Sequence, residues 1–206
     1  MRSMSKKTKL DAKGFTIVEL LVATVVFAVL LLIISIAVIQ FSRVYYKGVT
    51  ENNTQDTARS IMDSIAQAIQ FNGGTVSDSP TPTFGVSQAF CVGNQQYSYV
   101  LGRQLVDGGP HASLVRDLAG CTSSSAPSLT DPSGKELLSP SMRLVKLSVK
   151  NVAGTDLYNI NVKVVYGDDD ILNNPNSANA ACKSIQNGAH FCAVTDLTTT
   201  VTKRVE

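Results

Sequence analysis

The segment "KGFTIVELLVATVVFAVLLLIISIAVIQ" covers residues 13–40 and carries one carboxylate, Glu19, at the start of a nearly unbroken apolar run. Residues 20–39 contain no charge, glycine or proline, and only Thr24 and Ser35 are polar. As a helix, this run spans about 30 Å, the thickness of the hydrocarbon core of a bilayer. It is also longer than the 7–15 apolar residues of a cleavable secretory signal. We therefore predict a transmembrane helix over about residues 17–40.

Charge is distributed unevenly on the two sides of this segment. The net charge of +2 combines a basic stretch at residues 1–14, with five basic residues and one acidic residue, and a mildly acidic remainder. By the positive-inside rule, the amino terminus stays in the cytoplasm and the rest of the chain crosses the membrane. The acidic balance of the exported part also makes nucleic acid an unlikely partner.

The octapeptide "KGFTIVEL" at residues 13–20 resembles the processing and methylation site of type IV pilins and of the pseudopilins of type II secretion. The resemblance implies that a prepilin peptidase cuts between Gly14 and Phe15 on the cytoplasmic side. Phe15 then becomes the N-methylated first residue, and Glu19 is the retained acid. Residues 1–14 would be a leader peptide that is removed. Without this resemblance, the same segment is an ordinary signal anchor.

The resemblance also suggests why an acid is tolerated in the apolar run. A lone charge in the hydrocarbon core costs roughly 2.5–3.5 kcal/mol on insertion scales. Cleavage creates an ammonium group on Phe15, and Glu19 can pair with it in the same subunit or in a neighbouring one. In a bundle of low dielectric constant such a pair is strong, and breaking it strands a charge. Glu19 and Phe15 are therefore the predicted assembly residues.

The spacing of apolar residues predicts the second half of the helix and the β-rich head. Ala58, Ile61, Met62, Ile65 and Ile69 form one apolar stripe of an amphipathic helix that Gly73 and Gly74 would stop. Residues 47–57, with Gly48, are weakly helical, so a bend or break there stays open. We predict an N-terminal helix over residues 15–72 and a β-rich head over residues 73–206. Together they make an α+β pilin fold, a long helix packed on an antiparallel sheet.

Alternating patterns predict the strands of the head. In residues 142–152, Val145, Leu147 and Val149 alternate with polar residues, and residues 157–167 alternate in the same way. A short turn at residues 153–156 would join these two strands as a hairpin. Residues 88–93, 95–105 and 191–205 are weaker strand candidates.

The exported part contains all four cysteines, which favours two disulfides. Three pairings are open, and we expect the sequence-adjacent one, Cys91 with Cys121 and Cys182 with Cys192. The second bond would close a carboxy-terminal loop, as in many pilins. A metal site that adds His190 and His111 is the alternative.

One acidic loop is a weak candidate for calcium. Asp168, Asp169 and Asp170 stand together in "GDDDILNN" at residues 167–174, and oxygen-rich loops of this kind can bind the ion. The spacing is not that of an EF-hand, and a solvated turn is the alternative. No other cofactor is expected.

The predicted role is structural. No catalytic motif is present, so we do not expect an enzyme. The resemblance implies a subunit of a type IV pilus or pseudopilus, with other pilin subunits, the prepilin peptidase, the membrane and an ATP-driven assembly machinery as partners. The chain would sit in the cytoplasmic membrane with its head outside, and then join a filament.

Two features bear on the kind of subunit. No proline or glycine interrupts residues 15–47, unlike many major pilins, and "YSYVL" with "LVRD" resembles PilW-like minor pilins. Both favour a minor subunit. An adhesin or DNA-uptake head, a pseudopilin of type II secretion and a signal-anchored exported enzyme are the alternatives.

Overall fold

A single long helix and nine strands make up the described part of the chain. The computed structural model describes residues 14–107, 109, 111–118, 120–121, 129, 134–183 and 191–204. The leader residues 1–13 therefore lie outside the described residues. Contacts divide the chain into two units, residues 1–43 and residues 44–206. The second unit begins inside the helix because the stripe residues pack with the sheets.

Helix α1 covers Ile17–Phe71. Its first part is exposed and is long and apolar enough to cross a membrane. It stays helical around Gly48, where Lys47 and Glu51 form an ion pair at 3.7 Å. The helix ends where Gly73 takes a left-handed conformation with φ of 58°, which glycine adopts without strain.

The predicted stripe of α1 is confirmed as the face that packs into the head. Its five residues are buried, and Ala68 and two threonines join them on the same side. Thr50 and Thr54 turn their hydroxyls back to the carbonyl oxygens of Tyr46 and Thr50, at 2.9 and 2.8 Å. Their polar groups are therefore satisfied where they enter the interface.

The described residues of the head form three antiparallel sheets rather than one. The first has the order β1-β2-β3-β4, with strands Ser87–Val92, Gln95–Val100, Leu114–Asp117 and Lys135–Glu136. The second has the order β5-β6-β9, with strands Met142–Asn151, Leu157–Tyr166 and Ala193–Thr202. A small third sheet pairs β7, Leu172–Asn173, with β8, Ala181–Cys182. The α+β pilin architecture is confirmed.

The hairpin β5–β6 is confirmed, with one correction. Leu147 and Val149 face the main core as predicted, but Val145 does not. The register shifts between Leu144 and Lys146, so Val145 lies in a bulge and joins a second apolar cluster with Val165. A bulge reverses the alternation locally, and Leu144 takes the place that the simple pattern gives to Val145.

The two apolar clusters lie on opposite faces of the second sheet. The main core joins the stripe of α1 to the inner faces of both large sheets. The smaller cluster contains Val145, Val165, Leu172, Ala180 and Cys192. It ties the third sheet and the carboxy-terminal disulfide to the outer face of the hairpin.

Candidate processing and assembly site

The predicted cleavage point lies in exposed, non-helical backbone directly before α1. Residues 14–16 precede the first helical residue, and the Phe15 side chain is 83% exposed. A Cβ placed on Gly14 would meet no atom within 4 Å. The fold itself therefore does not require glycine at this position.

Thr16 and Glu19 form a capping box at the start of α1. The backbone N–H and the hydroxyl of Thr16 each donate to Oε2 of Glu19 at 2.8 Å. In return, the N–H of Glu19 donates to Oγ1 of Thr16 at 3.3 Å. This reciprocal pattern satisfies amide groups that have no partner within the helix, and it sets where the helix begins.

The capping box gives Glu19 a role that the sequence prediction omits. The signal is present, because Thr-Ile-Val-Glu at residues 16–19 has the Thr-x-x-Glu spacing of a capping box. Both bonds from Thr16 end on Oε2, and Oε1 accepts no hydrogen bond from the described residues. The carboxylate can therefore keep its cap and still accept a cation at Oε1.

The carboxylate lies on an apolar face of the helix. The residues around it follow helical spacing and are exposed, so a second helix of the same kind could pack against them. They are Phe15, Val18, Val22, Ala23, Val26, Phe27 and Leu30. Ala23 is the one small side chain among these residues, and the larger ones can contact a neighbouring helix in lipid through van der Waals packing.

Residues 9–35 match the family model described as the prokaryotic N-terminal methylation motif. The match supports the type IV pilin and pseudopilin family. It spans the Gly14–Phe15 bond, the capping box and most of the apolar run. No curated protein and no solved structure matches the chain. The motif, the spanning helix and the two disulfides agree with a membrane-anchored pilin.

The structure contains both disulfides of the sequence-adjacent pairing. Cys91 is bonded to Cys121 and Cys182 to Cys192, with Cα atoms 5.9 and 5.8 Å apart. The bonds use all four cysteines, so these are not metal ligands, and His190 lies outside the described residues. The second bond closes a ten-residue separation directly before β9.

The acidic loop at residues 168–170 does not assemble a calcium site. Gln104 donates to the carboxylate of Asp168 at 2.7 Å, and the buried guanidinium of Arg143 pairs with Asp169 at 2.5 Å. Lys183 donates to the backbone carbonyl of Asp170. Among the described residues, no group of acidic, histidine or cysteine side chains could hold a metal ion. These contacts hold the loop through cationic and amide donors, and calcium is not proposed.

Proposed function

We propose that this chain is a minor structural subunit of a type IV pilus or of a type II secretion pseudopilus. A prepilin peptidase removes residues 1–14 and leaves Phe15 as the methylated amino terminus. The spanning helix waits in the membrane, and the assembly machinery moves it into a stack of like helices. The observation that carries the proposal is Glu19, the fifth residue after the predicted cut. It is capped through Oε2, and its Oε1 accepts no hydrogen bond from the described residues.

The charges explain what the site does during assembly. Cleavage places an ammonium group on Phe15, close in sequence to Glu19, whose Oε1 accepts no hydrogen bond from the part of the chain that the structure describes. In a stack, Oε1 of one subunit accepts the ammonium of its neighbour, which neutralises both charges in the apolar interior. A helix that enters at the wrong axial level leaves both groups unpaired. The pair therefore sets the register of the filament.

A matched pair of glycine variants tests the processing step. A Cβ placed on Gly14 or on Gly48 would meet no atom within 4 Å, so the fold leaves room for a side chain to begin at either position. We expect Gly14→Leu to block cleavage when the chain is produced with a prepilin peptidase, whereas Gly48→Leu is cleaved normally. The mass of the product gives the answer. Normal cleavage of the Gly14→Leu chain would contradict the proposed recognition.

The minor role rests on the uninterrupted helix and on the likeness to PilW-like subunits. Quantitative mass spectrometry of purified filaments tests it. A minor subunit is present at a small fraction of the major one, and a share close to one half or above would exclude the minor role.

A second candidate function is ligand binding by the head, and the outer face of the second sheet favours it. Lys146 lies directly opposite Lys163, a like-charge arrangement that costs stability, and Lys150 is on the same face. The three lysines form no ion pair among the described residues. An adhesin that binds anionic polymers would use such a face.

The double variant Lys146→Gln with Lys150→Gln should then elute from a heparin column at lower salt than the unchanged chain, whereas the Lys135→Gln variant should not. Equal elution would exclude this function.

A further inference from the structure

Three aromatic side chains meet in the second unit, two of them directly after its first residue, Val44. The rings of Tyr45 and Tyr46 have centroids 6.0 Å apart, and the rings of Tyr46 and Phe191 are 5.9 Å apart. Tyr45 and Tyr46 belong to α1, and Phe191 directly precedes the last cysteine. All three remain exposed, at 60%, 52% and 44%. We call these three residues the aromatic cluster.

Phe191 is held in the cluster by its neighbour in the chain. Cys192 is 2% exposed, packs in the smaller apolar cluster and is bonded to Cys182 of β8. The anchored cysteine holds the adjacent backbone of Phe191 in place, and the Phe191 ring lies beside that of Tyr46. Exposing large apolar side chains to water is unfavourable, by about 25 cal/mol per Å². A contiguous group of exposed rings of this kind indicates a surface that contacts something else.

The position of the cluster along the chain indicates what covers it. Tyr46 is seven residues after Ile39, the last residue of the predicted spanning run. At 1.5 Å per helical residue this is about 10 Å beyond the hydrocarbon core, at the outer edge of the polar headgroup layer. Tyrosines are enriched in that layer because the ring is apolar and the hydroxyl is polar. The cluster is thus continuous in sequence with a segment that has the bilayer as its solvent.

We propose that the aromatic cluster is a bilayer-contact surface that docks the head on the phospholipid headgroup layer. The two tyrosines anchor the helix where it leaves the membrane. Phe191 adds a contact from the disulfide-closed loop, about 145 residues later in the chain. Two separate segments then fix the head against the membrane, where a helix alone would leave it free to rotate. This goes beyond the filament role, because it concerns a single chain in the membrane.

The absence of tryptophan from the sequence makes a direct test available. The Phe191→Trp variant carries one fluorophore in the cluster, and Val152→Trp is the matched control. Val152 is 41% exposed, similar to Phe191, and lies in the turn between β5 and β6. The register places Ala193 opposite Tyr166 and Thr202 opposite Leu157. The two probes are therefore near opposite ends of the second sheet.

The full chain is reconstituted in vesicles of phosphatidylcholine and phosphatidylglycerol, with and without brominated acyl chains. We expect brominated lipid to quench the Phe191→Trp variant about twofold or more relative to Val152→Trp, with emission at shorter wavelength. Adding Tyr46→Ser to the Phe191→Trp variant should reduce this quenching, because the neighbouring ring that positions the probe is gone. Disulfide content by mass and thermal unfolding in detergent confirm that each variant is folded.

Two results would overturn the proposal. Equal quenching of the two probes would place Phe191 in water. Shielding of the Phe191→Trp probe only in assembled filaments would assign the cluster to a neighbouring subunit instead of lipid. The vesicles contain this chain alone, so a negative result leaves the filament proposal standing, and a failure of filament assembly leaves the bilayer contact standing.

Discussion

Glu19 has two separable tasks, and three variants distinguish them. Oε2 caps the helix through Thr16, whereas the proposed pairing with an ammonium needs the negative charge and Oε1. Glu19→Gln keeps a carbonyl oxygen for the cap and removes the charge. Thr16→Val removes the hydroxyl from the cap and keeps the charge. Glu19→Ala removes both.

The two tasks differ in energy. Losing a capping residue costs about 1 kcal/mol of helix stability. Removing one partner of a buried ion pair leaves the other charge stranded, at about 3–5 kcal/mol, which corresponds to two orders of magnitude or more in subunit affinity. The charge should therefore dominate assembly, and the cap should affect mainly the first turn of the helix.

Filament yield measures the difference. All three variants should be cleaved and inserted in the membrane, as shown by the mass of the product and by membrane fractionation. We expect Glu19→Gln to assemble as poorly as Glu19→Ala, below about a tenth of the normal yield. Thr16→Val should stay within about threefold of normal. If Glu19→Gln assembled normally and Thr16→Val did not, Glu19 would act as a cap alone and the charge-pairing mechanism would be wrong.

Three further predictions concern the stability of the head, measured by chemical and thermal unfolding of the full chain in detergent. The Tyr99 hydroxyl is buried without a hydrogen-bond partner among the described residues. The single O–H of Tyr97, in contrast, has two acceptors within reach, the Ser64 carbonyl at 3.2 Å and Oε1 of Gln95 at 3.1 Å. Tyr99→Phe should therefore be neutral or stabilising by about 1 kcal/mol, and Tyr97→Phe should destabilise by about 1–2 kcal/mol; the reverse order would contradict the bonding described here. Burial raises the pKa of Tyr99 to about 12 from 10.0. The folded state binds this proton more tightly, so the free energy of unfolding should fall by about 2 kcal/mol as pH rises from 10 to 12. If the Tyr99→Phe variant lost the same free energy of unfolding over this pH range, Tyr99 would not be the cause. The Glu136 carboxylate accepts hydrogen bonds from four backbone N–H groups at 2.7–3.1 Å. Glu136→Ala should therefore lower the free energy of unfolding by about 3 kcal/mol, and Glu136→Gln should lower it less. A Glu136→Ala variant as stable as the unchanged chain would show that water replaces the carboxylate.

The regular elements of the fold could be predicted from the sequence because their patterns are local. The stripe from Ala58 to Ile69 and the alternation in β6 each place apolar side chains on one face, and the structure buries those faces. Alternation predicts both long hairpin strands, and the strand candidate at residues 191–205 is confirmed as Ala193–Thr202.

The parts that could not be predicted depend on contacts between distant segments. The bulge at Val145 turns that residue toward Leu172 and Cys192, which follow it by more than 25 positions. Strands β4, β7 and β8 have two residues each, too few for a periodic signal.

The acidic loop shows the same limit at a candidate site. Three adjacent aspartates suggest a site for a metal cation. The cation that pairs with Asp169 is instead the buried side chain of Arg143, 26 positions earlier in the chain. The capping box of Thr16 and Glu19 differs from the acidic loop, because its two residues are three positions apart and their spacing can be recognised in the sequence.

The most direct test of the proposed mechanism is the mass of the native amino terminus, measured on the membrane and filament fractions of a host that makes the prepilin peptidase. The mechanism predicts a chain that begins with N-methylated Phe15 and lacks residues 1–14. A mature protein that still carries residues 1–14, or one cut beyond Glu19, would contradict it.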